Sequence, residues 1–484
     1  MKKFTTGILM FLLFTFTGFA QHGNAFYATM DAADAITFKT LYPDDIAILA
    51  SNDKQAAVLL SEEVAHAIHD NVRTHGPGYI FRASEEKAVQ ALNQVANRGP
   101  QIDYSITEDT FVNECLDLVD GQNIEDDILE LQAYGTRYHT KSQAVQAVMD
   151  QQAKWDAMIL AAGRTDVHTR IYNHVNTQMP SVILTFNGAN TPDEFVIIGG
   201  HIDSTTFGDK NNAPGADDNA SGIASLNEMV RVLLEKDFVP NRSIEVMAFA
   251  AEEIGLVGSA EIAEDYANQG VNVAAYVQFD MTGYNGSNSD IYITTDWYNS
   301  NSLNTYLTEL MDHYNSNNPN NNHNFTYGYT ECGYGCSDHA SWADNGFDAA
   351  FPFEAAMGQD NPNIHSPGDV YSFFGETTHS VKFAKLGLEF LIEAAKPQIL
   401  SVDDFSDNAI RVFVKDKTLN YRLNNTVSNV KEVTVYNVAG QRIISEEMNN
   451  ESGSVTLQQF AKGFYIAQFT LENGHAFTKK FILN

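Results

Sequence analysis

Three short apolar runs, Phe195–Ile198, Ser243–Phe249 and Ala275–Phe279, each lead into residues that can bind a metal. Runs of this length, alternating with helix-like segments between about 106 and 397, describe an α/β fold: a mixed, mostly parallel sheet flanked by helices. His201 follows the first run across Gly199-Gly200, Glu252-Glu253 follow the second, and Asp280 ends the third. The carboxyl ends of neighbouring strands in such a sheet converge on one crevice. Asp217 and His365 complete a set of candidate ligands: His201, Asp217, Glu253, Asp280 and His365. Each alone reads more readily as a satisfied turn residue than as a ligand, but their joint occurrence at such positions is hard to reach by chance. Zinc takes imidazole nitrogen and carboxylate oxygen, and a hydrolytic site keeps a position open for water. Five ligands suffice for two ions if one carboxylate bridges them.

With 484 residues and 44% hydrophobic content, the chain has room for more than one packed domain. Its 62 acidic against 29 basic residues argue against nucleic acid or an anionic membrane surface as a partner. Lys2-Lys3, the apolar stretch Ile8–Phe16 and Gly18-Phe19-Ala20 mark residues 1–20 as a signal peptide, with an uncleaved anchor as the alternative. No later run reaches the roughly 18 to 20 apolar residues of a membrane span. The mature chain is therefore expected to be secreted or held at the cell surface.

Residues 21–105 carry little that looks catalytic. Helical periodicity runs over Ala56–Val72, and Ser84 is placed to cap a helix over Ser84–Ala96. In an exported hydrolase this segment reads as a propeptide, making the chain a zymogen processed in the loop Asn97–Gln101; a subdomain that stays attached is the alternative. Cys332 and Cys336, in ECGYGCSDHASW, are spaced to form a disulfide across a tight turn, as export permits; a zinc site is the competing reading. Cys115 is left as a buried thiol on an early helix.

The flanks of the candidate ligands are more specific. GGHIDS (Gly199–Ser204), APGADDNASG (Ala213–Gly222), AFAAEEIGLVGS (Ala248–Ser259), QFDMTGY (Gln278–Tyr284), CGYGCSDHASW (Cys332–Trp342) and NPNIHS (Asn361–Ser366) occur in this order. Together they resemble the secreted bacterial leucyl aminopeptidases, dizinc exopeptidases of metallopeptidase clan MH, family 28. The resemblance runs from about 115 to 396 and implies a catalytic domain over 106–397.

Carried over residue by residue, the resemblance implies that Asp217 bridges two zinc ions, that His201 and Asp280 complete one site, and that Glu253 and His365 complete the other. Glu252 would be the general base acting on a metal-bridging water. Asp203 would orient the His201 imidazole, and Asp218, beside the bridging position, would serve geometry. Tyr334 aligns with a tyrosine that stabilises the oxyanion. Met281, Phe353, Met357 and Ile364, with Cys332 and Tyr334 beside them, would line an apolar pocket for a leucine-like side chain. The expected substrates are peptides or proteins with a free N-terminus, and the expected state is a monomer. The alternatives are a carboxypeptidase or glutaminyl cyclase-like enzyme on the same fold, and a non-catalytic peptide-binding protein.

Beyond a linker at 398–404, residues 405–484 read as short alternating strands, Ala409–Val414, Glu432–Val438 and Gly463–Leu471, that build a small β-sandwich. Asn437–Arg442 and the ending from Gly463 to Phe481 resemble the sorting domains of type IX secretion, which implies a secretion machinery as partner. A carbohydrate-binding or adhesive module is the alternative.

Overall fold

The computed structural model describes residues 25–69, 75–93, 104–398, 410–415, 417–423, 429–438, 440–471 and 476–483. The signal peptide, the processing loop and, after its first residue, the linker lie outside the described residues. The chain divides into two compact units, 1–397 and 398–484. Among the described residues no helix is long and apolar enough to cross a membrane.

The first unit begins with an antiparallel sheet of β1 (Ala25–Asp31), β2 (Ile46–Ser51), β3 (Gln55–Ser61) and β4 (Tyr79–Arg82), in the order β2-β3-β1-β4. Here the helix expected over Ala56–Val72 is corrected: its first part is β3, and among its described residues the helix is Glu62–His69. The Ala-Ala-Val-Leu-Leu run satisfies its backbone by pairing with β1 on one side and β2 on the other. Ser84 does cap a helix, Glu85–Ala91, its side chain accepting the N–H of Lys87 at 3.2 Å.

Strands β5 (Val167–Tyr172), β6 (Ser181–Phe186), β7 (Thr191–His201), β8 (Arg242–Phe249), β9 (Asn272–Gln278), β10 (Ile291–Thr294), β11 (Tyr327–Thr330), β12 (Ala349–Ala350) and β13 (Pro352–Phe353) follow. The main sheet has the order β12-β9-β7-β8-β6-β5. Its β12, β9, β7 and β8 are parallel, β6 runs against β8, and β5 against β6. Successive side chains of a strand point to opposite faces, and both faces are buried. Val196, Ile198, Ile244 and Val246 enter a core with the helices Gly222–Glu235 and Thr378–Ala395. Ile197, Met247, Phe249 and Tyr276 enter another with the helices Val257–Gln269 and His339–Asp344. That two-sided burial is why the three runs are apolar almost throughout. Cys115 is a fully buried thiol on the helix Asp109–Leu116.

The turn after β5 is tied to the helix Val257–Gln269 by Glu261, which accepts the N–H groups of Val175 and Asn176, both at 2.8 Å, and approaches His174 Nδ1 at 3.2 Å. Burial pushes this carboxyl up, but the donors outweigh it and hold it at about 2. A depressed carboxyl contributes stability that is complete above its ordinary value and is lost as pH falls through the window from about 4.5 to 2. Glu261→Gln should lower stability by about 1 kcal/mol at neutral pH, allowing for partial exposure, and flatten the pH dependence across that window in thermal melts. A variant with unchanged acid sensitivity would show that the tie contributes nothing.

The second unit holds β14 (Ile410–Lys415), β15 (Thr418–Leu423), β16 (Val430–Asn437), β17 (Arg442–Asn450), β18 (Ser452–Thr456), β19 (Gly463–Leu471) and β20 (Ala476–Leu483). They form antiparallel sheets β14-β15-β18 and β17-β16-β19-β20. Leu419, Tyr421 and Val455 of one sheet pack with Val433, Val435, Ala467 and Phe469 of the other, as in a small β-sandwich.

Candidate metal centre

The parallel strands deliver their chemistry at one edge. His201 is the last residue of β7, Asp280 lies two residues beyond β9, and Glu252-Glu253 open a single turn of 3-10 helix after β8. Gly200 keeps β7 close to the chain leaving β9, since a Cβ there would lie 2.5 Å from the Phe279 carbonyl oxygen. The Asn219 side chain holds this junction, donating to Phe279 O at 2.9 Å and accepting from Met281 N at 3.1 Å. Asp203 receives the backbone N–H of Glu252 at 3.0 Å and of Glu253 at 3.3 Å, so its carboxylate orients the turn that carries both acids. It also lies beside the His201 ring: Nδ1 is 3.2 Å from the Asp203 carbonyl oxygen and 3.5 Å from its carboxylate. Ala251, Met281 and His365 adopt positive φ, local strain of order 1 kcal/mol each that collects at the site.

The carboxylate at the centre belongs to Asp218. Its Oδ1 is 3.1 Å from His201 Nε2 and its Oδ2 is 3.0 Å from His365 Nε2. His201 Nε2 is also 3.1 Å from Asp280 Oδ1, and His365 Nε2 is 3.2 Å from Glu253 Oε2. The central position read for Asp217 is therefore corrected. Asp217 accepts from Gly283 N at 2.9 Å and from Asn361 Nδ2 at 3.0 Å, and both its oxygens are taken up by loop structure. Adjacent residues face different ways because Asp369 fixes their backbone, accepting the N–H of Asp217 and of Asp218 at 3.0 Å each. The Asp218–Asn219 peptide bond is cis.

This arrangement fits metal ions. Both oxygens of Asp218, both of Glu253 and Nε2 of His365 are buried without a hydrogen-bond partner, although they lie about 3 Å apart. Donors held at about 2.0 to 2.2 Å around a tetrahedral cation are separated by about 3.3 Å and point at the ion, not at each other. Charge tells the same story. Burial pushes the imidazoles down, but Asp280, Asp203 and Asp218 hold His201 well above its ordinary value, and Glu253 and Asp218 push His365 up to about 10. Burial, with Glu253, Asp338 and Asp280 nearby, outweighs the opposing His201 and holds the Glu252 carboxyl well above the usual range. So many buried acids call for cations.

Comparison with known proteins agrees. Residues 181–386 match Peptidase family M28. A probable aminopeptidase of Saccharomyces cerevisiae is 30% identical over 328 residues, which cover 65% of this chain and 81% of that protein. The chain belongs to peptidase family M28. Leucine aminopeptidase 1 of Arthroderma gypseum is 31% identical over 61% of this chain and 80% of its own length. The LapA aminopeptidase of Legionella pneumophila superposes with a TM-score of 0.66 at 28% identity, covering 78% of this chain and all of that one. LapB of the same organism gives 0.67 at 27%, covering 77% of this chain and all of LapB. Residues 400–483 match a domain of unknown function, DUF8694. The first unit is thus that of an M28 metalloaminopeptidase.

Around the M28 centre, Met281 and Phe353 are fully buried with Cys336 and Phe351, and Cys332, Tyr334, Met357 and Ile364 pack against them. Cys332 and Cys336 are disulfide-bonded, which marks an oxidising compartment. The Tyr334 hydroxyl donates to the carbonyl oxygen of His75, and Ser337 Oγ donates to Asp280 Oδ2 at 2.6 Å.

Other residues bear on this M28 site with little mark in the sequence. The buried Arg137 guanidinium donates to the carbonyls of Leu131, Ile202, Pro214 and Gly215, clamping the loops before Asp203 and Asp218. Asp369 could not be singled out from the acids around it. His69 and His75, in the segment that looked empty of chemistry, reach the centre itself. Their only signal is a local crowding of histidines at 66, 69 and 75.

Proposed function

We propose that this M28 enzyme is an exported aminopeptidase that removes an apolar, leucine-like N-terminal residue from peptides, with two zinc ions as cofactors. His201 and Asp280 would hold one ion, Glu253 and His365 the other, and Asp218 both. The observation that carries the reading is the division between adjacent acids. Glu253 faces His365 and Asp218, whereas Glu252, fixed on the same turn by Asp203, leaves Oε1 buried and without a protein partner.

When bound, the ions lower the pKa of the attacking water and polarise the scissile carbonyl. Glu252 takes the proton from that water and passes it to the leaving amine. The Tyr334 hydroxyl turns to the carbonyl oxygen as negative charge develops there. The apolar group around Met281, Phe353, Met357 and Ile364 receives the first side chain. One methylene in such a pocket is worth about 1 to 3 kcal/mol, so leucine, methionine and phenylalanine would compete. Residues 1–20 direct export, 21–105 act as a propeptide, and 405–484 engage a type IX secretion machinery.

Chromogenic aminoacyl substrates, tested after protease nicking between the N-terminal segment and the catalytic region, provide the check. Free leucyl substrates should be cleaved and N-blocked ones spared; a chelator should abolish turnover and zinc restore it. Cleavage of blocked substrates, or turnover indifferent to chelation, would sink the reading.

A further inference from the structure

The side chains of the centre are almost wholly buried: His201 and Asp280 are 0% exposed, Glu252 1%, Asp218 2% and His365 4%. No peptide can reach them in this state. Two imidazoles arrive from the N-terminal segment. His69 ends the helix Glu62–His69, and His75 lies shortly before β4. His69 Nε2 is buried without a hydrogen-bond partner, 3.7 Å from Glu253 Oε2, and its ring centroid is 4.5 Å from that of His365. His75 Nε2 is 2.6 Å from Asp280 Oδ2.

They do not go to the same place. Ligand atoms of His69, Glu253 and His365 lie within 4.8 Å of one another, and so do those of His75, Asp218 and Asp280. The first group is one half of the centre and the second is the other. We propose that in the uncleaved chain His69 and His75 are metal ligands, one on each ion, filling the positions that substrate and water must take.

The backbone around them supports a built fit. Tyr334 donates to the His75 carbonyl, the kind of oxygen it would meet in a peptide substrate, and the His75 ring lies 5.5 Å from that of Phe353 in the apolar group. Gly76 has φ +73° and lies so close to Cys336 that a Cβ would strike its carbonyl oxygen. Phe81 N donates to Gly255 O at 2.9 Å, beside the turn that carries Glu252. The segment thus resembles a bound peptide whose side chains also bind the ions, and its hold on the site should depend on metal.

The inference rests on the two-zinc reading, and the test separates them. The full chain, loaded with zinc, is examined by X-ray absorption fine structure at the zinc edge, which counts imidazole ligands. With His201 and His365 alone, about one imidazole per ion is expected; with His69 and His75 added, about two. His69→Asn/His75→Asn, a polar replacement of both, should return the count to about one with both ions retained. Hydrogen exchange over residues 62–93 should quicken on chelation in the parent chain. Two zinc ions with about one imidazole each in the parent chain would overturn the inference alone, even if the variant fails to fold. Failure of the full chain to bind two ions would overturn the two-zinc reading.

Discussion

Glu252→Gln is expected to lower kcat by about 10³-fold in the nicked protein while KM changes little and both zinc ions stay bound. The substitution keeps the shape of a side chain that is 1% exposed and whose Oε1 meets no protein donor, so folding has little reason to fail. It removes the carboxylate that the proposed mechanism uses as proton acceptor, next to Glu253, which faces His365. Metal analysis and steady-state kinetics on one preparation decide the matter. A variant that loses zinc as well as rate would make Glu252 a ligand, and a variant of normal rate would remove it from the mechanism.

Exchanging the adjacent aspartates should separate two kinds of damage. Asp218→Asn should lose at least one zinc ion and nearly all activity, because it weakens the carboxylate that lies 3.1 Å from His201 Nε2 and 3.0 Å from His365 Nε2. Asp217→Asn should keep both ions. It disturbs a carboxylate that accepts from Gly283 N and Asn361 Nδ2, at an expected cost of about 1 to 3 kcal/mol in stability. Zinc content and melting temperature of the pair distinguish the roles. If Asp217→Asn loses the ion while Asp218→Asn keeps both, the bridging role returns to Asp217.

The two aspartates also show how far sequence reading reaches. A candidate ligand at the end of an apolar run is legible because the strand supplies its address: His201 closes β7, and Asp280 follows β9. Asp217 and Asp218 have no such address. They lie where the chain leaves regular structure, with Asp218 and Asn219 at non-helical φ/ψ, and their backbone is set by the side chain of Asp369, far along the chain. A motif places the pair, but only that distant carboxylate decides which member faces His201 and His365. The placing of Glu252-Glu253 at the centre is readable because one short turn after a strand carries both, although the sequence marks Asp203 only as a partner of His201 and not as the group that fixes that turn.

The N-terminal segment shows the limit from another side. The run Ala56–Leu60 suits a buried strand as well as a helix, and its pairing with β1 and β2 settles the matter. His69 and His75 have no periodicity to betray them. Their chemistry exists only because that small fold packs where their rings meet Glu253 and Asp280.

By itself the sequence determined the strands, the two-sided burial that makes them apolar, and the convergence of His201, Glu253 and Asp280, because these follow from local period and from the geometry of parallel sheets. Only the tertiary structure decided that Asp218 takes the central place and that His69 and His75 enter the centre. Those outcomes depend on contacts between residues far apart in the chain, which no local pattern encodes.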